Sequence, residues 1–248
     1  MSVEICGQEY SIENTTILDL SANDLTCLPE SIGNLTHLET LFLNRNDLTS
    51  LPESIGNLTH LKELYLSGND LTCLPDTIGN LTHLERLQIG ENKLTRLPDT
   101  IGNLTHLKKL YVWGNKLTSL PDTIGNLTHL WVLAVNDNSL TCVPDTIGNL
   151  TNLTELWLDY NNLTSLPESI GNLTHLNKLR VIGNNLTSLP ENLANLETFE
   201  EDKVCRCKKL LHILLGHIEE CELPSQKYLE MCNVISELHT TMCNQTTS

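Results

Sequence analysis

The sequence predicts a right-handed, curved α/β solenoid, with parallel strands on the concave side and helical or irregular turns outside. Three observations predict it: an Asn recurs every 23 residues, the segment before each Asn follows LxxLxL, and the segment after it contains LP, an acid and IGNLTH. A fixed period of this length is typical of stacked coils. The repeated residues are Asn23, Asn46, Asn69, Asn92, Asn115, Asn138, Asn161 and Asn184.

The LxxLxL segment predicts a short strand with one buried face, because its last two Leu alternate with variable residues. The Leu that follow the Asn, and the Ile and Leu of IGNL, are expected to turn inward from the return path. One coil cannot bury its apolar side alone, whereas stacked neighbours share a core in which each buried Leu contributes about 1.5–3 kcal/mol. Stability is therefore expected to be collective.

The repeated Asn is interpreted as structural, since its amide can satisfy backbone groups of the adjacent coil in a turn. In the LP step, Pro suits the first position of a helical turn and the next acid complements the positive end of that turn. These acids account for eight of 31, so much of the net charge of −16 is architectural. They are Glu30, Glu53, Asp76, Asp99, Asp122, Asp145, Glu168 and Glu191.

Three regions follow from this pattern. Residues 1–14 alternate apolar residues around Gly7, which predicts an N-terminal cap formed by a small hairpin. Residues 15–196 hold eight 23-residue repeats. Residues 197–248 lose the repeat, and their apolar spacing predicts two helices, separated at Pro224, that form a C-terminal cap and tail.

The unit LxxLxLxxNxLTxLPxxIGNLTH resembles the leucine-rich repeat family, in the 23-residue LPxxI form of intracellular scaffold proteins of the Ras-suppressor and Scribble type. Plant and bacterial relatives carry the same form. The resemblance implies a leucine-rich repeat solenoid, a horseshoe-shaped arc whose concave parallel sheet is available for protein binding.

Composition and motifs exclude several classes of function. A net charge of −16 disfavours nucleic acid and anionic membrane surfaces as partners, because binding to both depends on clustered Lys and Arg. No apolar run is long enough to span a bilayer, and the start lacks the regions of a signal peptide. Phosphate-loop, metalloprotease, serine-hydrolase and kinase motifs are missing, so we expect no enzyme and no cofactor.

One repeat position holds a column of His, interrupted by Asn152. A column spreads one donor per coil, whereas a zinc site needs three or four converging donors, so we expect surface residues and no metal. Mild acid would then add positive charge along one edge, which suggests pH-dependent association as a minor hypothesis. The column contains His37, His60, His83, His106, His129 and His175.

The nine Cys indicate the compartment. Cys27, Cys73 and Cys142 share one repeat position but lie at least two coils apart, about 10 Å, which is too far for a disulfide. The odd total also fits reduced thiols, so we expect a cytoplasmic protein. A secreted alternative rests on the repeated NLT glycosylation sequons and on Cys205–Leu211, which is similar to the C-terminal cap of secreted leucine-rich repeat proteins.

Function is expected where the repeats differ, on the solvent side of the strands. Seven of the ten aromatic residues lie in or beside these positions, with Arg and Lys interspersed, which is the composition of binding hot spots. Lateral packing along the sheet is the alternative interpretation. The candidate partner-binding residues are Phe42, Tyr65, Arg86, Lys109, Tyr111, Trp113, Trp131, Trp157, Tyr160 and Arg180, with the centre in repeats five to seven.

The sequence thus predicts a non-catalytic, monomeric module that binds an unidentified partner protein on its concave face. One alternative is an adaptor whose C-terminal helices recruit ubiquitin-transfer or signalling machinery. Another is a secreted, glycosylated recognition ectodomain.

Overall fold

The computed structural model describes residues 2–5, 7–187, 190 and 199–200. The chain divides into two compact units, Met1–Glu200 and Glu201–Ser248, and the second lies outside the described residues. The predicted pair of C-terminal helices falls on that second unit. The predicted helical cap therefore lies outside the described residues.

One parallel sheet contains nine short strands, β3 to β11, which are neighbours in chain order. The eight repeats supply β3 to β10, and β11 lies just beyond residue 196. Each strand of a repeat pairs with the next at an offset of one unit, as Leu110 does with Leu133. The predicted solenoid is confirmed, because the 23-residue period brings each strand beside its equivalent. The strands are Ile17–Asp19, Thr40–Phe42, Glu63–Tyr65, Arg86–Gln88, Lys109–Tyr111, Val132–Ala134, Glu155–Trp157, Lys178–Arg180 and Phe199–Glu200.

The core runs behind this sheet as continuous columns of Leu and Ile. The central Leu of every strand from β3 to β10 is at most 2% exposed, and the Ile of the return segment is equally buried. Consecutive coils thus cover each other's apolar surface, as the sequence predicts, and no single coil holds a core of its own.

The outer side of each of the first seven coils is a short 3-10 helix. Pro was expected at the first helical position, but it is the N-cap, with extended backbone, and the acid is the first helical residue. The helix is short because Pro precedes it and the chain turns inward at the following Leu. The helices are Glu30–Asn34, Glu53–Asn57, Asp76–Asn80, Asp99–Asn103, Asp122–Asn126, Asp145–Asn149 and Glu168–Asn172.

The repeated Asn joins neighbouring coils, as predicted. Asn115 is buried, and its Nδ2 donates to the carbonyl oxygens of Ile89 in the preceding coil, at 2.9 Å, and of Val112 in its own, at 3.1 Å. Its Oδ1 accepts from the backbone N–H of Leu94 at 3.0 Å. Asn23, at the start of the ladder, is exposed.

The N-terminal hairpin is also confirmed. Strands β1 (Ser2–Ile5) and β2 (Gln8–Ser11) pair antiparallel, and Gly7 lies in the turn between them with φ +79°. Val3 and Ile5 are buried, and β1 packs beside the first 3-10 helix. The hairpin therefore covers apolar surface that no preceding coil could cover.

Candidate functional site

Each repeat strand has one variable residue before its buried central Leu and one after it, and both side chains lie on the face of the sheet opposite the core. In seven of the eight repeat strands the first and third residues are partly or fully exposed, and we call the surface that they form the concave face. The exception is β8, in which Val132 and Ala134 are also buried. The predicted alternation therefore places the variable residues on one surface.

A groove of about 970 Å³ lies on this face where the strands end. It brings together three aromatic side chains predicted from the sequence, Tyr111, Trp113 and Trp157, all half-buried. Of the described residues, those lining the groove are Ser21, Ala22, Asn44, Arg45, Ser67, Gln88, Glu91, Tyr111, Trp113, Asn136 and Trp157.

Two small residues make room for the aromatic rings. Ala134 lies in register between Tyr111 and Trp157 and is fully buried, so the strands that carry the two rings are about 10 Å apart with only a small side chain between them. Gly90 lies against the Trp113 indole, and a Cβ at Gly90 would approach Cε2 of that ring to 2.6 Å. Larger residues at either position would displace the rings.

The Trp157 indole is held by a hydrogen bond from its N–H and by two cations that lie over its ring. Its Nε1 donates to Glu155 Oε2 at 3.0 Å, and the Lys178 ammonium and Arg180 guanidinium, both from β10, lie 5.4 and 5.6 Å from the ring centre. Arg180 also pairs with the buried Asp159 at 2.7 Å. These contacts fix the indole, and they place Arg180 beside a groove residue although Arg180 does not line the groove itself.

A second aromatic cluster lies in the earlier repeats. Phe42 and Tyr65 stack with ring centres 4.7 Å apart, and the Tyr65 hydroxyl donates to Glu63 at 2.6 Å and accepts from Arg86 at 3.5 Å. Burial, followed by the neighbouring Glu63, raises the pKa of Tyr65. This is the lateral packing that the alternative interpretation expects, and the cluster stands outside the set of residues lining the groove.

Three further predicted residues also stand outside that set. Lys109 faces solvent in register with Arg86, two residues before Tyr111. Trp131 precedes its strand, is 48% exposed, and lies with Lys108 Nζ at 6.0 Å from its ring. Tyr160 follows its strand and is 58% exposed. The structure therefore divides the predicted residues among the groove, the strand surface and its flanks.

Eight groove residues are absent from the candidate set. Several have short polar side chains two residues before the repeated Asn, where the coil leaves the strand. Three others occupy the position directly before that Asn, where the backbone is left-handed: Ala22 has φ +53°, Arg45 φ +55° and Glu91 φ +52°. The signal that could identify this position is its occupation by Gly in three repeats. The residues that sequence analysis missed are Ser21, Ala22, Asn44, Arg45, Ser67, Gln88, Glu91 and Asn136.

Glu91→Gly is expected to raise the free energy of unfolding by about 0.5–1 kcal/mol. A left-handed conformation costs a non-glycine residue about 1–2 kcal/mol, and the greater freedom of Gly in the unfolded chain cancels part of that gain. Asp137→Gly, at the same repeat position with φ +53° but outside the groove, should give a similar gain. Urea unfolding measures both, and a loss of stability in both variants would contradict the strain argument.

Neither a metal cluster nor a membrane span occurs in the described part of the chain. No group of three or more His, Cys, Asp or Glu is placed there to hold a metal ion, and no described helix is long and apolar enough to cross a bilayer. Cys27, Cys73 and Cys142 are free and exposed, in agreement with the prediction that they do not pair.

Comparison with known proteins identifies the architecture. A model described as leucine-rich repeat region matches residues 16–94 and 87–162, and one described as leucine rich repeat matches residues 152–173. A comparison with curated proteins finds no match.

Three solved structures are similar to the chain. A leucine-rich repeat protein of Leptospira interrogans is 37% identical with a TM-score of 0.67, covering 77% of this chain and 54% of that one. The ectodomain of the receptor kinase GASSHO1/SCHENGEN3 from Arabidopsis thaliana, in complex with CASPARIAN STRIP INTEGRITY FACTOR 2, is 36% identical with a TM-score of 0.68, covering 74% and 23%. The plant peptide hormone receptor RGFR1, in complex with RGF2, is 30% identical with a TM-score of 0.63, covering 71% and 29%.

The chain therefore spans about half the length of the first relative and about a quarter of the other two. The matched models extend over most of the repeats, in agreement with the period, the parallel sheet and the Asn ladder. This chain belongs to the leucine-rich repeat family.

Proposed function

We propose that this chain is a non-catalytic recognition module that binds a partner protein on its concave face, with the groove between Tyr111, Trp113 and Trp157 at the centre. The convergence of these three half-buried rings around one groove carries the proposal. Tyr and Trp dominate binding hot spots because they bury a large area and lose little conformational freedom.

The groove chemistry supports a protein partner. Its aromatic side chains alternate with the amides of Asn44, Gln88 and Asn136, which can pair with a partner's backbone. A hydrogen bond to Glu155 and the cations of Lys178 and Arg180 beside its ring already fix Trp157, so binding requires little reordering. A standard interface of about 800 Å² per partner would extend from the groove over the neighbouring strands.

The charge distribution also supports recognition on this face. The first and third strand positions of β3 to β10 carry four basic and three acidic residues, although the whole chain has a net charge of −16. The basic residues are Arg86, Lys109, Lys178 and Arg180, and the acidic ones are Asp19, Glu63 and Glu155. A partner approaching the concave face therefore meets a nearly balanced surface on an acidic protein.

Affinity capture from a lysate of the source cells tests the proposal. The variant Tyr111→Ala, Trp113→Ala, Trp157→Ala removes the aromatic walls of the groove while leaving the buried Leu columns unchanged. We expect it to lose the proteins that the wild type retains, because hot-spot truncations cost about 2 kcal/mol or more each. Thermal unfolding of both proteins verifies that the fold persists.

A matched control removes three aromatic side chains outside the groove, Phe42→Ala, Trp131→Ala and Tyr160→Ala. This control should retain the captured proteins. Equal retention by the groove variant and the wild type would reject the groove as the binding centre. Loss only in the control would place the site on the strand surface and its flanks.

The cytoplasmic location remains part of this proposal, and the three exposed free thiols fit a reducing compartment. The adaptor alternative depends on the C-terminal helices, which lie outside the described residues. Copurification with ligase components would favour it, whereas a mobility shift on glycosidase treatment would favour the secreted alternative.

A further inference from the structure

The His column forms a continuous ladder at the edge of the solenoid. His37, His60, His83, His106 and His129 are exposed, and neighbouring rings stack with their centres 6.0–6.4 Å apart. The planes of the last four rings differ by only 10–11° between neighbours. Five imidazoles thus form one solvent-exposed stack, with one ring per coil, and the last four rings are nearly parallel.

Hydrogen bonds to the preceding coil fix which ring nitrogen carries the proton. In five repeats His Nδ1 lies 2.8–3.0 Å from the carbonyl oxygen of a Thr in the preceding coil, as His106 Nδ1 does from Thr82. A carbonyl oxygen only accepts, so Nδ1 must donate. The neutral ring then has its lone pair on Nε2.

Asn152 supports this assignment, because it interrupts the His column and makes the same bond. Its Nδ2, which can only donate, lies 2.8 Å from the Thr128 carbonyl oxygen. The structural requirement at this repeat position is therefore a donor to the preceding coil, and Asn meets it. The Nε2 lone pair of the His residues is not needed for that bond.

We propose that neighbouring imidazoles of this ladder bind divalent transition-metal ions through Nε2. A His whose Nδ1–H donates to a backbone carbonyl is arranged as metal-ligating His usually is, with ring and tautomer oriented by the second bond. This surface site uses two protein ligands and water, so it differs from the closed three- or four-ligand site that the sequence disfavours.

Two neighbouring rings can form such a pair once they turn toward each other. Metal to imidazole bonds of about 2.0–2.1 Å require the two Nε2 atoms to lie within about 4 Å of each other. Ring centres 6.0 Å apart must therefore approach at their outer edges by about 2 Å, and the nearly parallel rings must also turn, because each Nε2 lone pair lies in the plane of its ring. The rings are exposed, so rotation about their side-chain torsions is open to them. Isolated His175 has Asn152 in place of the preceding neighbour and lacks such a pair.

Imidazole nitrogen favours transition-metal ions of intermediate softness. Imidazole suits Cu²⁺, Ni²⁺ and Zn²⁺, whereas Mg²⁺ and Ca²⁺ prefer oxygen ligands. A net charge of −16 raises the local concentration of any divalent cation. The ladder is therefore expected to bind Ni²⁺ and Cu²⁺ and not to bind Mg²⁺.

Calorimetric titration of the full chain with Ni²⁺ at neutral pH, with Mg²⁺ as the comparison ion, tests the proposal. The variant His60→Asn, His106→Asn removes every pair of neighbouring imidazoles in the ladder. The matched variant His37→Asn, His175→Asn also loses two His but keeps three pairs, His60–His83, His83–His106 and His106–His129. Asn should preserve the inter-coil hydrogen bond at the three of these positions that make it, His60, His106 and His175, which thermal unfolding verifies.

We expect the pair-free variant to bind Ni²⁺ at least about tenfold more weakly than the matched variant, since even losing an outer-shell partner costs 10–100-fold in metal affinity. Both variants retain all nine Cys, so any ion bound elsewhere contributes equally to both titrations. Equal Ni²⁺ affinity in the two variants, or no Ni²⁺ binding by the wild type, would overturn the proposal.

Discussion

Replacing Asn115 by Ala is expected to lower the free energy of unfolding by about 3 kcal/mol, because it leaves three buried backbone groups without their partner. The Leu94 N–H loses its acceptor, and the carbonyl oxygens of Ile89 and Val112 lose a donor. Each orphaned group costs about 1–3 kcal/mol, and water cannot reach a residue that is 9% exposed without opening the stack. Urea unfolding followed by circular dichroism measures the loss.

The first repeat supplies the control for this prediction. Asn23 holds the same repeat position but is exposed, and its Nδ2 donates to the Ser21 carbonyl oxygen within its own coil. Asn23→Ala should therefore cost less than about 1 kcal/mol. Similar losses of unfolding free energy in the two variants would contradict this prediction, because the hydrogen bonds from Asn115 to the preceding coil would then add nothing to stability.

Gly102→Ala should destabilise the solenoid by about 2–3 kcal/mol, since the outer sides of two coils touch at this position. A Cβ on Gly102 would lie 2.5 Å from the Thr123 carbonyl oxygen and 2.6 Å from the Thr123 Cβ. These Thr123 atoms belong to the backbone and to the first side-chain carbon. Neither can rotate away from the added Cβ, so the two coils must separate. The shift in the denaturation midpoint, with unchanged slope, measures this cost.

Gly114→Ala is the matched comparison, because it tests strain without a collision. Gly114 has φ +64°, and the nearest atom to its added Cβ would be the Glu91 backbone nitrogen at 3.3 Å. Ala22, Glu91 and other non-glycine residues already occupy this repeat position with positive φ. We expect a loss of about 1 kcal/mol, and a loss at Gly102 no larger than that would contradict the argument from coil contact.

The sequence was sufficient for the architecture because the fold depends on a period, and a period is visible without coordinates. The buried Leu columns, the surface of the variable strand residues and the bonding role of Asn115 all follow from it. The position of Pro differed by one residue, because the fixed φ of Pro suits both the N-cap and the first helical residue, and only ψ, which is extended here, distinguishes them.

The groove was less predictable than the sheet. Tyr111 and Trp157 are separated in register by the small residue Ala134, and the Trp113 indole occupies space that a side chain at Gly90 would need. Trp131 and Tyr160 lie close in sequence to strand residues, yet strands only three residues long leave both outside the sheet. Contacts between neighbouring variable residues, which differ in every coil, carry no periodic signal.

Because successive coil interfaces are equivalent, the gene can lose a whole repeat and still encode matching interfaces. Loss of one 23-residue unit from the gene, such as residues 112–134, would rejoin Leu columns that already match, so the shortened protein could still fold. The strand of Tyr111 would then pair directly with that of Trp157, and the space between their rings would close. A single unequal crossover would thus reshape the groove without altering the fold.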